Sequence, residues 1–366
     1  MKKVRIAHIA DFHLGEEIKT NDELKKEINK NIIQSLIQIF NMLNASRVDL
    51  VLIAGDFYES SIVDDKLLQS VKEIFSNFSG NIIISPGNHD YVSIESVYHG
   101  NWPENVHIFL NDNIEYIEFE GLNTRVYGFA FTKSHISERK LMNFPYLDQY
   151  FINIGVFHGQ IDSNYNNYNP IFLEDIENSK LDYIALGHIH KRSEINKIGN
   201  TYYSYSGNPC GRGFDELGAK GIYIGEVSKG WNSLRFLKAS ENEFHKLKIE
   251  IDLFESQSII ANQIKEKLID RFGNNYKNHY YKLILKGSRN EDEYINIEMI
   301  EDFLSDIKYI EIEDETNIII DLDSLSKEDS LRGVFVRKLI ESDNFDNEDK
   351  EKILDFGLKA FEGSLW

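Results

Sequence analysis

The stretch Gly87-Asn88-His89-Asp90 directly follows the apolar run Asn81 to Ser85, which is typical of a buried β-strand. Three consecutive polar side chains at the end of such a strand are costly to bury unless something pairs with them. Four further polar clusters stand at the ends of β-like runs, namely Asp11-Phe12-His13, Gly55-Asp56, Phe157-His158-Gly159 and Gly187-His188-Ile189-His190. Because the carboxyl ends of the strands in an open α/β sheet share one edge, we expect these side chains to converge.

The first part of the chain alternates strands with helices. Val4 to Ala10 and Asp49 to Ala54 are predicted strands, like Asn81 to Ser85, and apolar residues recur at helical spacing in Asp22 to Leu43 and Asp64 to Phe78. Continuous apolar strands between amphipathic helices predict a sheet that is covered on both faces and starts with parallel connections.

The middle of the chain is richer in strands. The predicted strands are Asn113 to Glu120, Thr124 to Ala130, Phe151 to Phe157, Asp182 to Leu186, Thr201 to Tyr205 and Gly221 to Val227. We expect the first two to form a hairpin around Gly121. A second sheet packed against the first would account for these strands, which predicts an α/β fold with a two-sheet sandwich flanked by helices.

The pattern changes near Ser240. Strands and helices alternate in His245 to Leu253, Ser256 to Phe272, Tyr280 to Lys286, Asn296 to Asp306 and Tyr309 to Ile320. Two amphipathic helices are predicted beyond them, Leu331 to Ser342 and Asp346 to Phe361. We therefore expect a main domain over residues 1–240, a small α+β domain over 241–323 and a helical tail over 324–366.

Composition indicates a cytoplasmic protein. The chain has 366 residues, 42 % of them apolar, and one cysteine, Cys210, so no intrachain disulfide can form. Met1 to Ile9 has two lysines but no apolar segment long enough for a signal peptide. No apolar run approaches the roughly 20 residues needed to cross a bilayer, so we expect no membrane association.

The charge distribution decides whether DNA can be a partner. The net charge of −20 argues against a polyanionic ligand, but residues 289–366 contain 23 acidic and 9 basic residues, a balance of −14. The first 288 residues therefore have a net charge of only −6. Since phosphate binding depends on local lysine and arginine, this part could carry a DNA groove, although not a generally basic surface.

The polar clusters contain seven candidate metal ligands: Asp11, His13, Asp56, Asn88, His158, His188 and His190. In Asp11-x-His13 and His188-x-His190 the period of two places both side chains on one face of an extended segment. Each motif alone is weak, because Asp-x-His is common by chance and Gly-Asp is an ordinary turn. The inference depends on their joint occurrence at strand ends. The other histidines are interpreted as structural or exposed: His8, His99, His107, His135, His245 and His279.

The donor types indicate the ions. Carboxylate, amide and imidazole without thiolate suit Mn²⁺, Fe²⁺ or Zn²⁺ better than copper or an iron–sulfur cluster. Seven ligands exceed what one ion needs, whereas two ions that share a bridging carboxylate would use them all. Such pairs, about 3.5–4 Å apart, are typical of phosphoester-cleaving sites, where the bridging hydroxide is the nucleophile.

This ordered set of motifs resembles the calcineurin-like metallophosphoesterases. Three segments are similar to the bacterial SbcD-type DNA repair exonucleases: Asp11-Phe12-His13-Leu14-Gly15, Gly55-Asp56-Phe57-Tyr58, and Tyr205-Ser206-Gly207-Asn208-Pro209 with the following Phe214-Asp215-Glu216. The resemblance covers about the first 240 residues strongly. It extends more loosely over the α+β domain, which is similar to the family's capping domain.

The resemblance implies a role for each candidate ligand. One ion would be held by Asp11, His13, Asp56 and His190, and the other by Asp56, Asn88, His158 and His188, with Asp56 bridging. His89 would not be a ligand but would face the scissile phosphate and protonate or stabilise the departing 3′ oxygen. Asp90 is expected to orient the His89 imidazole. Archaeal and eukaryotic relatives have a histidine where this chain has Glu59, which argues against a second catalytic histidine.

The resemblance further implies a Mn²⁺-dependent DNA exonuclease of 3′–5′ polarity, which uses a metal-bridged hydroxide in DNA repair. One alternative is a phosphoesterase for small molecules or phosphoproteins on the same scaffold. Another is a scaffold protein in an ATPase complex with a degenerate site, against which stands the presence of all seven ligand residues.

Partners are expected from the same resemblance. Lys191, Arg192 and Arg212 are placed to contact DNA phosphates near the metals, unless they are solvated loop charges. The family's exonucleases usually act with an SMC-like ATPase of the SbcC type. We expect its docking face in the helical tail after Ser324, although an amphipathic tail helix more often packs on its own domain. The sequence leaves open whether the chain forms a homodimer.

Overall fold

The structure is a computed structural model that describes residues 2–17, 22–60, 62–161, 164, 166–251, 256–290, 293–319 and 321–361. The chain divides into two compact units, Met1–His245 with Asn278–Tyr280, and Lys246–Lys277 with Tyr281–Trp366. Within the described ranges, no helix is long and apolar enough to cross a membrane.

The described residues form nineteen strands and eight α-helices. The strands are β1 (Val4–Ile9), β2 (Leu50–Ile53), β3 (Asn81–Ile84), β4 (Val106–Ile108), β5 (Glu115–Phe119), β6 (Thr124–Gly128), β7 (Ile152–His158), β8 (Gln160–Ile161), β9 (Pro170–Ile171), β10 (Tyr183–Gly187), β11 (Asn196–Ile198), β12 (Thr201–Tyr205), β13 (Gly221–Ser228), β14 (Trp231–Asn232), β15 (Arg235–Lys238), β16 (Phe244–Ile251), β17 (Tyr280–Asn290), β18 (Tyr309–Asp314) and β19 (Asn317–Ile319). The helices are α1 (Asp22–Ala45), α2 (Asp65–Ser76), α3 (Leu173–Ser179), α4 (Gln257–Phe272), α5 (Ile297–Phe303), α6 (Leu322–Lys327), α7 (Leu331–Ile340) and α8 (Asn347–Phe361).

The first sheet of the first unit has the strand order β14-β13-β1-β2-β3-β4, with β15 paired to β13. Strands β1 to β4 are parallel, and β13 runs antiparallel to β1. Helices α1 and α2 pack together through Phe40 and Phe75, whose ring centroids are 5.0 Å apart. The predicted β-α-β-α-β start with parallel connections is confirmed.

The second sheet has the strand order β11-β12-β10-β7-β6-β5. Strands β6, β7, β10 and β12 are parallel, and β5 forms the expected antiparallel hairpin with β6. One apolar core joins both sheets and contains Ile6 and Leu52 from the first and Val156 and Ala185 from the second. Full burial of each such aliphatic side chain stabilises the fold by about 1.5–3 kcal/mol. The predicted two-sheet sandwich is therefore confirmed.

Several short elements were not predicted: β4, β8, β9, β11, β14, β15, α3 and α6. Strands β4 and β11 lie at sheet edges, and the side chains of Asn196–Ile198 are exposed or only partly buried. An edge strand of three residues has neither a continuous apolar run nor a clear alternation, so its sequence carries no strand signal.

The second unit contains a sheet with the order β16-β17-β18, in which β19 pairs with β17. Its core includes Ile264 of α4, Leu283 of β17 and Ile300 of α5. The single strand predicted for Tyr309 to Ile320 is broken into β18 and β19. The Asp314 carboxylate accepts hydrogen bonds from the backbone N–H (2.9 Å) and the hydroxyl (2.6 Å) of Thr316, which turns the chain there.

The C-terminal helices α6, α7 and α8 share a small core formed by Leu325, Val336 and Leu358. Helices α7 and α8 agree with the two predicted for this region. The ends of two predicted strands, at Asp252, Leu253 and Ile320, lie outside the described residues. The division into a main domain, a capping domain and a tail with boundaries at residues 240 and 323 stays a prediction.

Candidate metal centre

Five strands of the first unit deliver polar side chains to one place, because β1, β2, β3, β7 and β10 all end there. Three groups of donors result: Asp11 with His13 and His190, Asp56 with His158 and His188, and, at the mouth of the site, His13 with Glu59 and His89. Within each group the donor atoms lie within 4.8 Å of one another. The structure thus brings together side chains that are separated by nearly 180 residues in the sequence.

In the first group, Asp11, His13 and His190, the donor atoms face each other at short distances. The Nε2 atoms of His13 and His190 are 3.2 Å apart, and the Nδ1 atom of His13 lies 2.6 Å from the Glu59 carboxylate. With Nδ1–H donated to Glu59, the Nε2 lone pair of His13 points into the group. The buried Oδ2 of Asp11 has no hydrogen-bond partner among the described residues. An orphaned carboxylate oxygen beside imidazole lone pairs fits a bound cation.

The second group is closed by the Asn88 amide. The Nε2 atom of His158 lies 2.9 Å from Asn88 Oδ1 and 3.2 Å from Asp56 Oδ2, and His188 Nδ1 lies 3.2 Å from the same Asn88 oxygen. His158 donates its Nδ1–H to the Ala54 carbonyl at 3.0 Å, which directs Nε2 toward the other donors. These oxygen and nitrogen donors suit Mn²⁺, Fe²⁺ or Zn²⁺.

Asp56 lies between the first two groups. Its Oδ2 atom is 3.2 Å from Nε2 of His158 and 3.8 Å from Nε2 of His13. Asp56 is 2 % exposed, so its charge is shielded from solvent. This is the position that a bridging carboxylate requires.

Burial and neighbouring charges shift the pKa values of the buried groups at the site in both directions. Burial raises the pKa of Asp11. Burial lowers the pKa of His158, but the Asp56 carboxylate more than offsets this and raises it to about 9. Burial and the charge of His158 lower the pKa of His188 to about 3. A bound metal ion would replace the proton of His158, because a ligating imidazole must be neutral.

The backbone at the site adopts conformations that are uncommon for residues with a side chain. Asp11, His13, Asp56 and His188 have φ angles of +53°, +48°, +49° and +98°. A Cβ atom on Gly87 would lie 2.2 Å from Asp56 Oδ1, so only glycine permits this approach. Such strain persists only where the surrounding structure enforces it, and it is concentrated here on the candidate ligands.

His89 stands at the mouth of the site. Its backbone N–H donates to Asp56 Oδ1 at 2.9 Å, and its ring lies 4.8 Å from the ring of His13. The His89 side chain is 41 % exposed, and its Nδ1 atom is 3.1 Å from the Glu59 carboxylate. This hydrogen bond raises the pKa of His89 above its ordinary value.

The predicted role of Asp90 is wrong, because its carboxylate does not contact His89. Asp90 is fully buried and accepts hydrogen bonds from the N–H of Phe57 (2.8 Å), the N–H of Gly87 (2.7 Å) and the hydroxyl of Tyr98 (2.6 Å). It holds the turn that carries Asp56. Glu59, which sequence reasoning treated only as a departure from relatives, is the residue that orients His89.

The DNA contact of Arg212 stays a prediction, and the structure places this residue among carboxylates. Its side chain is 9 % exposed and pairs with the carboxylates of Glu16 and Glu216. Glu216 also accepts from Nδ1 of His190 at 2.9 Å. Arg212 therefore positions Glu216, and its guanidinium also lies 3.0 Å from Nδ1 of His190. Sequence reasoning named Glu216 only as part of a segment similar to SbcD-type exonucleases and gave it no role, because a contact across 26 residues has no periodic signal. Lys191 and Arg192 are exposed beside His190, and their contact with DNA stays a prediction.

Comparison with known proteins agrees with this geometry. Residues 4–192 match the calcineurin-like phosphoesterase family. The chain is 27 % identical over 271 residues to the uncharacterised metallophosphoesterase YhaO of Bacillus subtilis, covering 71 % of this chain and 66 % of the relative. It is 23 % identical over 311 residues to a component of the SbcCD nuclease of Staphylococcus epidermidis, covering 76 % and 78 %.

A third relative is the DNA double-strand break repair protein Mre11 of Methanopyrus kandleri, at 24 % identity over 254 residues, or 62 % of this chain and 55 % of the relative. The chain thus spans just under two thirds of the Bacillus relative and about half of the Methanopyrus one. The family match takes in more than half of the chain and all seven predicted metal ligands. The chain therefore belongs to the calcineurin-like phosphoesterase family.

Proposed function

We propose that the protein is a two-metal phosphodiesterase that acts on DNA, a Mn²⁺-dependent 3′–5′ exonuclease in DNA repair. The observation that carries this proposal is the convergence of two donor groups on the shared carboxylate of Asp56. The names of two relatives, a nuclease component and a double-strand break repair protein, support DNA as the substrate.

Each of these two donor groups would hold one divalent ion. Asp11, His13 and His190 would hold the first and Asn88, His158 and His188 the second, with Asp56 shared. When bound, such ions supply Lewis acidity that neutralises phosphate charge and makes water a nucleophile at neutral pH. The donor set admits Mn²⁺, Fe²⁺ and Zn²⁺, and we favour Mn²⁺ on the family resemblance.

The residues of the chain would position the phosphodiester and supply a proton. Glu59 accepts from Nδ1 of His89 and thereby keeps the imidazole in one orientation at the mouth of the site. Nε2–H of the charged His89 ring would then donate to the departing 3′ oxygen. The raised pKa of His89 keeps this proton available near neutral pH.

The deciding experiment is digestion of end-labelled single- and double-stranded DNA by the purified protein with Mn²⁺. We expect mononucleotides to be released from the 3′ end. Hydrolysis of nucleotides or phosphoamino acids without cleavage of linear DNA would replace the proposal by a small-molecule or protein phosphoesterase. Full binding of an ATPase with no turnover of any phosphoester would instead indicate a scaffold protein.

We also propose that an SMC-like ATPase binds the C-terminal helices. Helices α7 and α8 expose large apolar side chains, among them Leu331 at 78 % and Phe356 at 63 %. We infer that these side chains contribute to the docking surface, since large exposed apolar patches mark interaction sites. Replacing both residues with aspartate should abolish co-purification with the ATPase. The matched control is Ile94→Asp in the other unit, where Ile94 is 98 % exposed.

A further inference from the structure

A pocket of about 190 Å³ opens beside the candidate ligand His190. Its lining includes His190, Lys191, Arg192, Gly207, Asn208 and Lys220. Three of these residues are cationic, in a chain whose net charge is −20. One water takes up about 30 Å³ of liquid volume, so the pocket has room for a solvated phosphate group.

Lys220 is a half-buried ammonium with Glu216 and Asp215 as its acidic neighbours, neither of them within ion-pair distance. Its Nζ atom donates to Asn208 Oδ1 at 2.7 Å, and no ion pair to a carboxylate occurs for it within the described ranges. By contrast, Lys282 pairs with both Glu311 and Glu313. Removing a charge from water is costly unless an opposite charge lies close to it, so Lys220 at the pocket wall is placed to receive an anion.

Arg192 presents a pre-oriented guanidinium. It stacks over the Phe236 ring, with 4.2 Å between Cζ and the ring centroid. Its carboxylate neighbour is the exposed Glu194 at 4.0 Å, a distance at which an exposed pair is worth little. The Arg192 side chain also hydrogen-bonds to Tyr223, and its remaining N–H donors are the ones available to a phosphate oxygen. Lys191 forms no ion pair among the described residues.

Backbone contacts fix the position of the pocket wall relative to the candidate ligand His190. Gly207 has a φ of +68°, and a Cβ atom there would lie 2.7 Å from both the His190 carbonyl and the Arg192 nitrogen. The N–H of Asn208 donates to the His190 carbonyl at 3.3 Å. The wall that carries Asn208 is therefore held at a fixed position next to His190.

We propose that this pocket is a phosphate subsite, which binds a phosphodiester neighbouring the one that is cleaved. Lys220, Arg192 and Lys191 would contact its oxygens. The substrate is then a chain with at least two phosphates rather than a lone phosphoester. This inference rests on the proposed function and specifies its substrate class.

The test compares oligodeoxythymidylate with bis(p-nitrophenyl) phosphate, which has one phosphate only. For Lys220→Met and Arg192→Gln, KM for the oligonucleotide should rise about tenfold, as expected for loss of one charge-assisted contact. The resulting fall in kcat/KM for the oligonucleotide should be at least five times the fall in kcat/KM for bis(p-nitrophenyl) phosphate. Lys220→Arg should restore the oligonucleotide KM, and Lys197→Met, an exposed lysine outside the pocket, should behave as wild type.

A second measurement does not depend on catalysis. Fluorescence anisotropy of labelled oligodeoxythymidylate with metal-free protein gives the dependence of log K on log salt. Lys220→Met and Arg192→Gln should each reduce the magnitude of this slope by about 0.7, the value for one lost phosphate contact on single strands. Unchanged slopes in both variants would overturn the subsite even if the wild type cleaves DNA. Reduced slopes without DNA cleavage would keep the subsite and reject the proposed exonuclease.

Discussion

The two halves of the candidate metal centre are supported differently. On the Asp11 side, both imidazoles are held by side-chain carboxylates, His13 by Glu59 and His190 by Glu216. On the other side, His158 is held by the backbone carbonyl of Ala54 and is fully buried. Either kind of partner fixes the tautomer and orientation of a ligating imidazole, but only a side-chain partner can be removed by substitution. The Asp11 side is thus adjustable by substitution, and the His158 side is determined by the fold.

Removing the carboxylate that both halves share should have the largest effect. Asp56→Asn should prevent both halves of the candidate metal centre from binding metal. Phosphodiesterase activity should then fall more than about 10³-fold, which is more than the loss of a single transition-state hydrogen-bond donor causes. Metal content by mass spectrometry should fall from two ions per chain toward none. The control is Asp64→Asn, which alters the exposed N-cap of α2. Two ions retained in Asp56→Asn would contradict the shared role.

Removing the proposed proton donor should leave both halves filled. His89→Ala should lower DNA hydrolysis about 10²–10⁴-fold, the range for general acid catalysis, while the metal content stays at two ions. His99→Ala is the control, since His99 is exposed and bonded to the Ser93 carbonyl. Mn²⁺-dependent nuclease activity that persists in His89→Ala would exclude the assigned role.

Glu59→Gln should weaken metal binding in one half of the candidate centre only, the Asp11 side. Loss of the His13 partner should reduce metal affinity on the Asp11 side about 10–100-fold and leave the His158 side unchanged, as calorimetry can resolve. The Glu59 hydrogen bond raises the pKa of His89, so the variant should lower that pKa. Because the acid form is the active one, the basic limb of the pH–rate profile should move to lower pH. An equal loss of affinity for both ions would contradict the difference in support between the two halves.

His8 is a second buried histidine that is held by a backbone carbonyl, and it lies outside the set of candidate metal ligands. Its Nε2–H donates to the Leu186 carbonyl at 3.1 Å, and its Nδ1 accepts from the Tyr183 hydroxyl at 2.8 Å, with no carboxylate nearby to offset burial. Burial lowers the pKa of His8 to about 3. The unfolded chain therefore binds a proton below pH 6.5 that the folded chain does not. This lowers the free energy of unfolding by up to about 1.4 kcal/mol per pH unit down to pH 3.

His8→Gln should remove that part of the pH dependence, the smallest of the four effects. Denaturant titrations at pH 7, 6, 5 and 4 measure it. The variant should be less stable than wild type at pH 7 and converge with it at pH 4. A constant difference between the two at all four pH values would contradict a neutral, buried His8.

The positions of the candidate ligands were readable from the sequence because strand ends are local features. A buried strand shows as a continuous apolar run, and the candidate ligands follow at or just after the end of such a run. The rule that parallel strands end at one edge then predicts convergence without knowledge of the loops. The parallel start, the second sheet and the candidate ligands were predicted on this basis.

Only the tertiary structure decided which residue supports which ligand. Glu59 reaches His13 across 46 residues, and Asp90 turns away from its neighbour His89 toward the Asp56 turn. These choices depend on φ angles in the left-handed region and on which charges are buried, neither of which has a periodic signature in the sequence. Arg212 shows the same: its charge was visible, but its burial between Glu16 and Glu216 follows from folding alone.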